Sequence, residues 1–154
     1  MDIQDILSTD RILTSLEAGS KKHALQALSG EAANQTGVAG HEIFDVLLER
    51  ERLGTTGVGS GVAIPHGKMQ KLERLIGCFA KLENPIDFDS VDGEPVDLIF
   101  LLLAPEAAGA DHLKALARIS RVLRNARKCD MLRSANTREK IFSLLTQDVQ
   151  THVA

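Results

Sequence analysis

The chain is predicted to fold as an α/β layered domain, with helices flanking a strand-rich middle. Three stretches carry that prediction. From His41 to Leu53, the residues Ile43, Phe44, Leu47 and Leu48 recur at helical spacing and make one apolar stripe. Val96 to Leu103 is apolar almost throughout, as expected of a strand covered on both faces. After Asp111, apolar residues return at helical spacing at Leu113, Leu116, Ile119 and Leu123.

The remaining elements follow in order. Ile3 to Leu7 reads as a short helix and Arg11 to Leu16 as a short strand. Ser20 is placed to cap a helix over Lys21 to Gln35, with Leu25 and Leu28 on its buried side and Gly37 ending it. Gly54 ends the stripe-bearing second helix. Val62-Ala63-Ile64 and Leu75 to Leu82 read as strands, Ile86-Asp87-Phe88 as a further short one, and Asp92-Gly93 as a turn. Pro105 and Gly109 mark a loop, after which Asp111 suits the N-cap of a helix from His112 to about Arg124. Helical segments near Lys128–Arg133 and Arg138–Leu145 complete the chain. Strand order does not follow from these signals.

Composition excludes several functions. With 154 residues, the chain can bury a substantial core. It has no Trp or Tyr, so the usual stacking platforms for single-stranded nucleic acid are nearly absent, and a net charge of −3 argues further against nucleic-acid binding. No apolar run is long enough to span a bilayer, and the acidic N-terminus carries no signal-peptide pattern. Cys78 and Cys129 lie far apart and match no metal spacing, so reduced thiols in a cytoplasmic protein are expected. The five histidines show no paired metal spacing either; neither a metal nor a cofactor is expected, and His23, His41 and His152 read as surface residues.

The segment Gly54 to Gly67 stands out. Four glycines fall within eight residues, followed by Val62-Ala63-Ile64, Pro65 and a histidine held between Pro65 and Gly67. It is not a P-loop: the pattern G-x-x-x-x-G-K-[ST] ending at Gly67-Lys68 would need glycine where Val62 stands, and Met69 replaces Ser/Thr. It is not a dinucleotide fingerprint: G-x-G-x-x-G meets Val62 from Gly57 and Ile64 from Gly59, and the loop follows a helix rather than a strand. What remains is an amide-rich path to a fixed imidazole. A neutral imidazole nitrogen can accept a phosphoryl group near neutral pH. Glycine-loop amides and an Arg fork can stabilise the charge on the transferred group's three oxygens.

The run Arg50-Glu51-Arg52-Leu53-Gly54-Thr55-Thr56-Gly57-Val58-Gly59-Ser60-Gly61-Val62-Ala63-Ile64-Pro65-His66-Gly67 resembles the R-E-x-L-G-S-T-G-x-G-x-G-[IV]-A-[IV]-P-H-G signature of fructose/mannitol-type IIA domains. These belong to the bacterial phosphoenolpyruvate-dependent phosphotransferase system. Pro85 to Asp89, Pro95 to Pro105 and Asp111-His112-Leu113 to Leu116 resemble later family blocks, and the resemblance covers about residues 5–148 as a single domain. Without a membrane domain, the chain is most similar to the nitrogen-regulatory IIA proteins.

The resemblance implies a three-layer sandwich with a mixed sheet between helices. It also implies that His66 is phosphorylated on Nε2 by a histidine-containing phosphocarrier protein. His112 is implied as a second active-site histidine and Arg50 as the active-site arginine. Thr55, Thr56, Gly57, Gly59, Gly61 and Gly67 are the positions expected to bind phosphate. Charge alone does not separate Arg50 from Arg52. Thr55 and Ser60 stand where Ser and Asn are common in the family; Thr55 keeps the hydroxyl, whereas Ser60 lacks the amide. Nitrogen-regulatory members signal through their phosphorylation state, for example to potassium transporters and sensor kinases. Two alternatives stay open: a sugar-specific IIA passing phosphate to a IIB partner, and a binding-only regulator never phosphorylated at His66.

Lys114, Arg118, Arg121, Arg124, Arg127, Lys128 and Arg133 make the stretch after His112 strongly basic, with Asp130 against them. A solvated helix face is the default reading and a docking surface for an acidic partner the sharper one. If it docks such a partner, charge reversal at Arg121 and Arg124 weakens association in a pull-down with a regulatory target. Unchanged binding rules the docking surface out.

Overall fold

The computed structural model describes residues 2–147; His152 and the expected domain end at 148 lie outside the described residues. Its sheet is built around the most apolar segment. β6 (Val96–Pro105) is buried from Leu98 to Ala104 and pairs with neighbours along both edges. On one edge it runs antiparallel to β5 (Ile76–Ile86). On the other, two short strands pair with it parallel, one after the other. β3 (Val62–Ala63) lies beside Leu98 and Ile99, and β4 (His66–Met69) beside Leu102 to Pro105. β1 (Ile12–Leu16) adds parallel to β5, and β2 (Gly57–Gly59) adds antiparallel to β3. The sheet is therefore mixed, in the order β1-β5-β6-β3-β2, with β4 on β6.

The period of two along β6 separates the layers. Leu98, Phe100, Leu102 and Ala104 join a core with Ile119 and Leu123 of α3 (Ala110–Leu123), Leu132 of α4 (Ala126–Ser134) and Ile141 of α5 (Arg138–Thr146). Ile99, Leu101 and Leu103 join the opposite core with Leu25 and Leu28 of α1 (Lys21–Thr36) and Ile43 and Leu47 of α2 (Gly40–Arg52). This is the three-layer α/β sandwich. Each fully buried Leu, Ile or Phe of these clusters contributes roughly 1.5–3 kcal/mol from area removed from water. Cys78 and Cys129 are both buried free thiols, and burial pushes the Cys78 thiol up to about 12.

Local signals formed as the sequence indicates. The Ser20 hydroxyl accepts the backbone N–H of His23 at 3.1 Å and starts α1; Gly37 ends it in the left-handed region at φ 77°. Other elements differ. The N-terminal helix is a 3-10 turn over Ile3–Asp5, and a second such turn over Thr9–Arg11 precedes β1. Arg11 is buried there, donating to the carbonyls of Gly77 and Ile6. Ile86 does not begin a separate strand: β5 continues through Pro85 to it, with a register irregularity between Lys81 and Ile86 that accommodates the missing N–H. β2 and β4 have too few residues to show a periodicity of their own; pairing with longer strands creates them.

Two expectations for α3 are corrected. Asp111 is not the N-cap; the helix starts at Ala110 with Gly109 capping, and Asp111 lies in the first turn, where a carboxylate is still favoured by the helix dipole. Leu113 does not face the core but is 68% exposed, because the neighbouring His112 takes the inward position in that turn. Leu113→Ser is therefore expected to leave stability within about 0.5 kcal/mol. Leu123→Ala, on the buried stripe, should cost about 2–5 kcal/mol. Urea unfolding of the two variants checks both.

Candidate active site

His66 opens β4 and lies opposite Leu102 of β6, so its ring rises on the face that carries α3. Pro65 just before it has no N–H, but its carbonyl accepts the Leu102 N–H at 3.0 Å and ties the approach to the sheet. The ring Nδ1 lies 2.8 Å from the Ile64 carbonyl. A carbonyl only accepts, so Nδ1 carries the proton and Nε2 keeps its lone pair. The ring is half-buried, and burial pushes its pKa below the ordinary 6.5. The Ile64 bond and Glu51 oppose that shift, while the Arg50 charge adds to it. Neutral imidazole with a free Nε2 is the resulting resting form.

Gly67 brings the next element close. A Cβ there would fall 2.5 Å from Val46 Cγ1, so its absence lets α2 lie directly on β4. One turn later on α2, Arg50 reaches the same cleft, its Nη1 donating to the Gly54 carbonyl at 2.8 Å. Arg52, the other candidate, is exposed and paired with Glu49 at 2.7 Å. Tertiary placement thus separates two arginines that charge could not.

His112 arrives from the opposite layer. It lies in the first turn of α3, is 6% exposed, and its ring centroid is 5.8 Å from that of His66. Among the described residues neither of its ring nitrogens has a hydrogen-bond partner. Buried polar groups are normally paired, so both ring nitrogens have hydrogen-bonding capacity to offer to a group in the cleft. Burial lowers its pKa first, with the His66 and Lys68 charges acting in the same direction.

These side chains line one cleft of about 500 Å³ between the end of α2, the start of β4 and the start of α3. Val46, Glu49, Arg50, Leu53, His66, Gly67, Lys68 and His112 form its wall. Lys68 was not singled out in the sequence. It stands two residues from His66, hence on the same face of β4, and that alternation would have revealed it had the strand been recognised.

Of the six loop positions expected to bind phosphate, Gly67 is in this wall. The others pack elsewhere. The Thr55 hydroxyl donates to the Phe88 carbonyl at 2.9 Å and accepts the Gly57 N–H at 3.0 Å. Thr56 is buried and gives its N–H and hydroxyl to the two oxygens of Glu51. Gly57 lies against Ser90, Gly59 against Asp92, and Gly61 against Arg133 and Asp97. The φ angles at Gly59, Ser60 and Gly61 are 108°, 57° and 80°, so the glycines here serve a tight reversal between β2 and β3.

The basic stretch also divides. Lys114, Arg118, Arg121, Arg124 and Arg127 are exposed, Arg118 pairing with Asp2 at 3.1 Å. Lys128 is buried, its ammonium on the Leu144 carbonyl at 2.6 Å, and Arg133 pairs with Asp97 at 2.8 Å while donating to the Ser60 carbonyl.

The comparisons with known proteins agree with this architecture. The structure superposes on the nitrogen regulatory protein IIA-Ntr of Neisseria meningitidis with a TM-score of 0.90 at 34% identity, covering 94% of this chain and 99% of that one. It matches the mannitol IIA of Escherichia coli with a TM-score of 0.76 at 18% identity, covering 91% and 99%. The fold is that of the mannitol-type IIA domains. In sequence, it is 57% identical to a nitrogen regulatory protein of Bradyrhizobium diazoefficiens over 94% of this chain and 95% of that protein. Residues 5–148 match the family model for the phosphoenolpyruvate-dependent sugar phosphotransferase system, EIIA 2, and the chain belongs to that family. Among the described residues, no helix is long and apolar enough to cross a membrane.

Both site histidines should titrate below 6.5, observable by NMR of the ring protons. Unfolded histidines protonate near 6.5 and the folded rings at lower pH, so between those values the unfolded chain holds more protons. Stability is accordingly expected to fall as pH drops from 6.5 through the folded pKa values. A melting temperature that rises over that interval overturns the assignment.

Proposed function

We propose that His66 accepts a phosphoryl group on Nε2 from the phosphohistidine of a carrier protein, and that the chain signals through the resulting phosphorylation state. The observation that carries this reading is the Nδ1 bond to the Ile64 carbonyl, which leaves Nε2 as the free nucleophile beside Arg50, Lys68 and His112. In the transfer, the Nε2 lone pair forms the new N–P bond as the donor N–P bond breaks and its electron pair returns to the donor ring. The Nδ1 proton stays in place, and the Ile64 carbonyl stabilises the positive charge that the phosphorylated ring acquires. Charge on the three phosphoryl oxygens meets the Arg50 fork, the Lys68 ammonium and an N–H of the neutral His112 ring. The loop from Thr55 to Gly61 acts by fixing the reversal that delivers His66, and Gly67, which lines the same cleft, is the loop position left to meet the phosphoryl group.

The phosphorylated ring gains roughly 1.5 to 2 negative charges at a cleft rimmed by the exposed Leu53, enough to change what docks there. The relative at 57% identity, a nitrogen regulatory protein, supports a regulatory rather than a transport role. Potassium transporters and sensor kinases are the class of target expected.

Incubation with phosphoenolpyruvate, the first enzyme of the system and the carrier should add one acid-labile phosphoryl mass to the wild type. His66→Ala should gain none, and His112→Ala or Arg50→Gln should gain it about 100-fold more slowly. A His66→Ala protein that still gains the mass, or a wild type that never does, sinks the proposal.

A further inference from the structure

The alternating charges Glu49, Arg50, Glu51 and Arg52 at the end of α2 suggest a solvated face, yet Glu51 is only 9% exposed while Glu49 is exposed. Its carboxylate has three partners. One oxygen takes the Thr56 N–H at 3.0 Å and the Lys21 ammonium at 2.8 Å, and the other takes the Thr56 hydroxyl. Lys21, at the start of α1, is held in turn over the Phe88 ring at 4.8 Å and near Asp89 at 3.6 Å.

Hydrogen bonds continue from that pair to the nucleophile. With its N–H and hydroxyl both committed to Glu51, Thr56 offers its carbonyl to the Ile64 N–H at 3.0 Å. The carbonyl of the same Ile64 receives the His66 Nδ1 proton. The path from Lys21 to His66 thus runs from ammonium to carboxylate to the Thr56 N–H, across the Thr56 Cα to its carbonyl, to the Ile64 N–H, and across the Ile64 Cα to the carbonyl that receives the imidazole proton. Arg50, next to Glu51 on the helix, closes the same turn from its other end on the Gly54 carbonyl. Two neighbouring charged residues of α2 therefore clamp both ends of the turn that leads to the site. These bonds act by orientation: fixing the Thr56 and Ile64 backbone fixes the direction of the carbonyl that meets His66.

We propose that Lys21 and Glu51 are positioning residues for His66: through Thr56 and Ile64 they hold the imidazole proton on Nδ1 and keep Nε2 free. The consequence for transfer rests on the proposed phosphoryl acceptance; the effect on the tautomer does not.

The test uses the unphosphorylated full chain with ¹⁵N-labelled histidine, reading the His66 tautomer by long-range proton–nitrogen correlation at a pH where the ring is neutral. Wild type, Lys21→Arg and the surface control Arg52→Gln should show the proton on Nδ1 alone. Glu51→Gln and Lys21→Met should show a mixture of tautomers and accept phosphoryl about tenfold more slowly or worse, while still unfolding cooperatively. The double variant K21M/E51Q leaves no buried unpaired charge, so it keeps the readout open if either single variant fails to fold. It too should mix tautomers. A folded Glu51→Gln, Lys21→Met or double variant with the proton still wholly on Nδ1 overturns the inference. A tautomer shift in a protein whose wild type never accepts phosphoryl would instead sink the proposed function and leave the positioning role standing.

Discussion

β6 is paired along both edges and buried on both faces, so it fixes its neighbouring strands through the ladder and both helical layers through apolar packing. The two short strands beside it have little stability of their own; β3 has two residues and β4 four. Each takes its position from β6, and His66 inherits that position through its pairing with Leu102. The two helical layers then supply the rest of the cleft. The lower layer gives Arg50 because Gly67 lets α2 come close. The upper gives His112 because the first turn of α3 lies over the same end of the sheet. One rigid strand therefore sets the relative positions of side chains from residues 50, 66, 68 and 112.

The electrostatics of the cleft use the same charges twice. Arg50 disfavours a proton on His66, and Lys68 disfavours one on His112, reinforcing the effect of burial. A ring kept neutral is a nucleophile or a neutral donor rather than a cation. The same positive groups would favour an anionic group entering the cleft, as the proposed phosphoryl transfer requires. Glu51, although close enough to favour the protonated His66 ring, has its carboxylate committed to Thr56 and Lys21. Its structural task is the turn behind the site.

Much of the fold was legible because it rests on local signals. The Ser20 cap and Gly37 stop, the stripe of α2 and the unbroken apolar run of β6 each report a local preference backed by burial. What escaped had no local signal. β2 and β4 exist by pairing alone, and the Gly109 cap displaced Asp111 because the loop reaches α3 in a conformation that glycine allows. Leu113 fitted the apolar spacing, but His112 took the inward position in its turn. Within the site, the glycine-rich setting brought out His66, whereas Arg50 and His112 came only from the resemblance to the IIA family. Lys68 stayed hidden with the strand that carries it, and Glu51 looked solvated because its partner, Lys21, is thirty residues away in sequence.

By itself the sequence determined that this chain forms helices around an apolar strand core and presents one histidine at the end of a glycine-rich reversal. Those are consequences of periodicity, capping and backbone freedom, which act over a few residues. The tertiary structure alone decided which charged groups meet that histidine, which of its nitrogens is free, and where the loop glycines point. These depend on distances across layers: α2 against β4, α3 over β4, and Lys21 against Glu51. Such distances arise only when the sheet closes and removes the intervening water.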